Sequence, residues 1–128
     1  MTTPQAALDC LLAFGRNGRL DDRAFVGSHW IGESPHDSGY QVRVTLAIIW
    51  DAEGKAYQAH LSTGEIRYEA GQMSLRHERE MPVRGLGSWS ATRFSQKRIE
   101  QLYNEVLASL RKNPQPLIDL LQEEGNRS

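Results

Sequence analysis

Residues Tyr40 to Leu61 constrain the fold of this chain more than any other stretch. Tyr40, Val42, Val44, Leu46, Ile48 and Trp50 alternate with Gln41, Arg43, Thr45, Ala47 and Ile49. A period of two, rich in β-branched and aromatic residues, specifies a strand with one buried face. Asp51-Ala52-Glu53-Gly54 follows as a turn, and the chain resumes the alternation to Leu61. With Trp50 closing on Lys55, Ile48 faces Tyr57, Leu46 faces Ala59 and Val44 faces Leu61. The apolar sides of both strands then coincide, which a one-residue slip would destroy. The opposite side sets Arg43, Thr45, Ala47 and Ile49 against Ser62, His60, Gln58 and Ala56. It is polar at one end and apolar at the other.

Something must cover the apolar face, and the C-terminal third supplies it. Ser95 is positioned as an N-cap for a helix over 95–113 in which Ile99, Leu102, Tyr103, Val106, Leu107 and Leu110 recur at helical spacing. Burying such a stripe contributes on the order of 10 kcal/mol before chain entropy is set against it. Asn113-Pro114 ends the helix, and Pro116 opens a short final one with Leu117, Leu120 and Leu121 on one side. At the other terminus, Thr3-Pro4 starts a helix carrying Leu8, Leu11, Leu12 and Phe14, which Gly15 is expected to stop.

The remaining stretches read as strands and turns. Phe25 to Gly32 is an edge or bulged strand, because Gly27 and Gly32 interrupt it. Ser62-Thr63-Gly64-Glu65 reads as a second turn. Ile66 to Glu69 then pairs onward with a strand from Met73 to Val83, Gly85 to Ser88 reads as flexible, and Trp89 to Phe94 returns as a last strand. The expected architecture is α+β: an N-terminal helix and a meandering antiparallel sheet of four to six strands centred on the 40–61 hairpin. The 95–113 helix and a short final helix cover one face.

The chain has 128 residues, 39% hydrophobic and 24% charged, values that exclude wholesale disorder and fit one domain, residues 1–128, with a real core. No apolar run is longer than Leu46 to Trp50, far short of the ~20 residues of a membrane helix. No basic region precedes the first apolar residues, so no secretory signal is expected. Cys10, the sole cysteine, permits no internal disulfide and is expected to be a small buried helix residue. These features point to a cytoplasmic protein.

No phosphate-binding, nucleophile-elbow, metalloprotease, paired-cysteine or calcium-loop motif occurs. Gly85-Leu86-Gly87 lacks the third glycine of a dinucleotide loop. His29, Glu33, His36 and Asp37 match no known metal-ligand spacing, and polar-loop histidines account for them as well. His60 has no nucleophile placed beside it, and a surface histidine opposite Thr45 is the simpler expectation. No cofactor or metal is therefore expected.

Three functional readings follow, in order. Met73, Met81, Leu86 and Trp89 cluster around Pro82 and the glycines and suit contact with another protein, or self-association through an edge strand or the C-terminal helices. The alternative rests on charge. The chain is −1 overall, yet residues 67–98 carry seven Lys/Arg against three Asp/Glu. Arg67, Arg76, Arg79, Arg84, Arg93, Lys97 and Arg98, with Trp89 among them, would suit single-stranded nucleic acid. The alternation Arg76-His77-Glu78-Arg79-Glu80 favours a merely solvated face. Third is a small-ligand pocket or enzyme between sheet and helix. The polar sheet face, Arg43, Thr45, Gln58 and His60, has no assigned partner.

Overall fold

A computed structural model describes residues 4–34, 39–69, 72–76 and 82–126. Helix α1 (Pro4–Asn17) leads into strands β1 (Arg19–Asp21) and β2 (Ala24–Glu33). Strands β3 (Gln41–Asp51), β4 (Ala56–Glu69), β5 (Gln72–Arg76) and β6 (Val83–Ser90) follow, then helices α2 (Gln96–Lys112) and α3 (Gln115–Asn126). All pairings are antiparallel, in the order β1-β2-β3-β4-β5, with β6 also on β4. The α+β architecture read from the sequence holds, with a six-stranded sheet.

The central hairpin is offset from the expected pairing. Asp51 lies opposite Ala56, so Trp50 faces Tyr57, Ile48 faces Ala59, Leu46 faces Leu61 and Val44 faces Thr63. The cause is local. The Asp51 carboxylate accepts hydrogen bonds from the amides of Glu53 and Gly54, both 3.1 Å, and Lys55 takes φ 49°. Asp51 thus ends the strand and Lys55 belongs to the turn. The offset is even, so the apolar faces still coincide, and Val42, Val44, Leu46, Ile48, Tyr57, Ala59 and Leu61 are all buried.

Ser62-Thr63-Gly64-Glu65 is not a turn. β4 runs straight through it, and β3 pairs with it as far as Ile66. The strand expected from Met73 to Val83 is instead two. β5 pairs with Glu65–Glu69 and β6 with Ala56–Ser62, so the two lie end to end along the same side of β4. Residues 77–81 fall between them, outside the described residues. Gly85 to Ser88, expected to be flexible, sits within β6, where two glycines accommodate a bulge. His60 faces Gly85 while Ala59 faces Gly87, which has φ 153°. β6 ends at Ser90, and Ala91 to Phe94 is not strand.

α2 begins as expected. Ser95 is extended at φ −141°, and its hydroxyl accepts the Arg98 amide at 3.3 Å. The six stripe residues are all buried. α1 continues past Gly15, which faces α2 with Leu107 3.6 Å from where a Cβ would stand. Its buried side is Ala7, Cys10, Leu11 and Phe14, leaving Leu8 and Leu12 about half exposed. β2 is bulged between Trp30 and Gly32, and β1 pairs only with Ala24 to Val26, so among the described residues the rest of β2 is an edge, as expected. With α1, α2 and α3 on one face, the other face of the sheet is left half exposed. No helix among the described residues is long and apolar enough to cross a membrane.

Candidate interaction groove

β6 is a sheet edge. Among the described residues it pairs with β4 alone. Ala91 donates to the Lys55 carbonyl at 2.9 Å, and Thr63 donates to the Pro82 carbonyl at 3.1 Å, which sets the phase of the ladder from both ends. Alternate residues face β4, so the amides and carbonyls of Val83, Gly85, Ser88 and Ser90 lie on the outer edge. All but Val83 are glycine or serine, and all four are exposed. The opposite edge is β1, three residues of which two are charged, continued from Gly27 by the bulged part of β2. Short, charged edges resist strand addition, whereas β6 has eight residues and one charge, Arg84, which pairs with Glu123 of α3.

Beside this edge runs a groove. Leu86 and Trp89 form one wall, and Glu105, Val106, Ser109 and Leu110 of α2 form the other. Asn113 and Pro116 close its end, around a volume of about 250 Å³. It continues past Arg84 and Gly85 toward Gln115 and Asp119. The bulge aims Leu86 into the groove, by setting Leu86 and Gly87 together against Ala59 on the helix side. Arg84 forms an ion pair with Glu123 of α3, while its Nε is buried with no hydrogen-bond partner among the described residues. With Arg84 so paired, Glu105 and Asp119 leave the rims acidic.

Of the residues expected to contact a partner, Leu86 and Trp89 converge here. Met73 lies on β5, whose side chains are outside the described residues, and Met81 is outside them altogether. The α2 wall was not expected, because nothing local links position 89 to position 106.

The described basic residues do not share one surface. Arg67 sits 5.6 Å from the Tyr40 ring centroid, toward the β5 end of β4. Arg84 is in the groove. Arg93 and Lys97 are exposed beyond the opposite end of β4, where Arg98 donates to Gln101 at 3.1 Å. From Arg67 to the Ala56 end of β4 is about 37 Å at ~3.4 Å per residue. The Arg76 side chain and Arg79 are outside the described residues.

Arg43, Thr45, Gln58 and His60 do share the open face, paired with Gly64, Ser62, Ile49 and Ala47. His60 lies 3.4 Å from the Gln58 amide oxygen through Nε2, and its Nδ1 is buried without a partner among the described residues. A polar cluster missed by the sequence reading lies at the far end of the inner face. There Glu65 is 1% exposed and accepts the Ser34 hydroxyl at 2.6 Å, beside buried Thr63. Assigning 62–65 to a turn had hidden it. No group of three or more His, Cys, Asp or Glu among the described residues is placed to hold a metal ion. His36 and Asp37 lie outside the described residues.

Comparison with protein-family models, curated proteins and solved structures finds no match.

Proposed function

We propose that this chain is a small non-catalytic adaptor or regulatory domain that binds an extended segment of another protein along β6. The observation that carries this reading is the conjunction of an open, sparsely charged strand edge with an apolar groove beside it. An added strand satisfies its backbone hydrogen bonds on Val83, Gly85, Ser88 and Ser90. Alternate side chains of that strand turn toward α2 and reach the wall of Leu86, Trp89, Val106 and Leu110. The acidic rims favour a segment with a basic residue near its apolar anchor. Single-stranded nucleic acid is less well served, since the described cations are divided between the two ends of β4.

The test is selection from a random peptide library on the full chain, followed by affinity measurement. Enriched peptides should alternate apolar and polar residues. Trp89→Ala should weaken them roughly 10- to 100-fold, as loss of an aromatic anchor does. Ser88→Pro, which removes an outward amide, should also weaken binding. No enrichment, or equal binding by both variants, would overturn the proposal.

A further inference from the structure

The open face of the sheet is unusual for a surface left in water. Ala24, Val26, Thr45, Ala47, Ser62 and Gly64 make up its centre, each half-buried. On β2, β3 and β4, from the level of Ile49 to that of Arg43, Arg43 is the one formal charge. Solvated surfaces ordinarily carry charged side chains at about a quarter to a third of positions. Two large apolar residues mark opposite ends of the face, Ile49 at 44% and Trp30 at 39% exposure.

We infer that this face packs against the same face of a second copy of the chain. The size fits. Four strands, β2, β3, β4 and β6, at ~4.8 Å spacing and about seven residues at ~3.4 Å give a plan area of roughly 450 Å². The two copies together then cover roughly 900 Å² before side-chain relief, close to the ~1,000 Å² total of the smallest specific interfaces. The composition fits too, since small residues let two sheets approach to the ~10 Å separation of stacked sheets. The layout is self-complementary. A two-fold axis crossing the strands between the levels of Thr45 and Ala47 brings Ile49 of each copy to the Trp30 end of the other. A polyanion finds two arginines on this face, Arg19 and Arg43, with Asp21 beside the first, which is too little to hold it. The inference stands on this face alone and is independent of the β6 groove.

The experiment is size-exclusion chromatography with light scattering on the full chain, from micromolar to hundreds of micromolar. The expected result is a concentration-dependent dimer that Ala47→Glu, which sets two carboxylates near the axis, converts to a monomer with an unchanged circular dichroism spectrum. Thr45→Lys should do the same, and it decides the matter if Ala47→Glu fails to fold. A monomer at every concentration overturns the inference. So does a dimer that survives both substitutions but is lost on Ser88→Pro, which would place the contact at the β6 edge. A monomer that gains mass only with added single-stranded oligonucleotide overturns it in favour of nucleic acid.

Discussion

The hydroxyl of Tyr103 donates a 2.6 Å hydrogen bond to the main-chain carbonyl of Phe14, directly over Gly27. This bond ties α2 to the end of α1 across β2, and the Tyr103 ring packs on Phe25 at 4.7 Å. A Cβ at position 27 would stand 2.1 Å from that hydroxyl and 3.0 Å from the Phe14 carbonyl oxygen. Gly27→Ala should therefore cost about 3 kcal/mol by overpacking. Tyr103→Phe, which strands a buried carbonyl, should cost about 1–2 kcal/mol. The two should not add. Removing the hydroxyl removes the closest clash, so alanine at 27 should cost markedly less in the Tyr103→Phe background. Urea denaturation of the four proteins measures this, and simple additivity would refute the packing described.

Stability should fall on the alkaline side. Burial pushes the Cys10 thiol from 9.0 up to about 12, with the Asp9 carboxylate adding to it. Burial also pushes the Tyr103 phenol upward, against a smaller opposing pull from Arg111. Both groups are raised in the folded chain, so above the unfolded values the unfolded chain loses protons that the folded chain keeps. Their stabilisation is complete below about pH 9 and is lost as pH rises toward 12, at up to about 1.4 kcal/mol per pH unit per group. Urea midpoints from pH 8 to 11 should decline, and Cys10→Ala should flatten the earlier part of the decline. A thiol reagent should not label native Cys10 at pH 8.

The turn at Ala52 to Lys55 holds a removable strain. Lys55 has φ 49°, a left-handed conformation that disfavours a side chain by roughly 1 kcal/mol. Lys55→Gly should raise stability by about 0.5–1 kcal/mol, the gain being trimmed by the greater freedom of glycine in the unfolded chain. Asp51→Ala loses both turn hydrogen bonds and should lower it by about 1 kcal/mol. Thermal melts of the two variants should move in opposite directions.

Tyr57 and Ser95 together set the start of α2. The Ser95 amide donates to the Tyr57 hydroxyl at 2.7 Å, while the Ser95 side chain caps the helix. Ser95→Ala should cost about 1 kcal/mol. Tyr57→Phe leaves the Ser95 amide without its partner and should cost about 1–2 kcal/mol. The cross-strand contact of Tyr57 with Trp50, centroids 4.9 Å apart, should survive, so near-ultraviolet dichroism should change little.

Legibility followed the range of the interaction. The α2 stripe and its Ser95 cap were readable because helix period and capping are local. The hairpin faces were readable because parity survives an even offset, whereas the offset itself depended on where the Asp51 carboxylate bonded. β4 was broken in the reading at Gly64, a turn-forming residue kept extended by β3 on one side and by the β5 pairing at Glu65 on the other. The groove was half readable. Leu86 and Trp89 stood out as apolar residues in a glycine-rich stretch, but their opposite wall arrives from α2 through the fold alone. Glu65 was invisible as a buried carboxylate because burial there depends on the paths of both β3 and the Ser34 segment.

The way β5 and β6 share one side of β4 has a consequence for how this chain tolerates change. The sheet holds Arg76 opposite Glu65 and Pro82 opposite Thr63, two levels apart on a single strand. Chain length between those anchor points is set by neither pairing. An insertion between them would leave both ladders in register, while a one-residue insertion inside β4 would turn a whole face of the protein inside out.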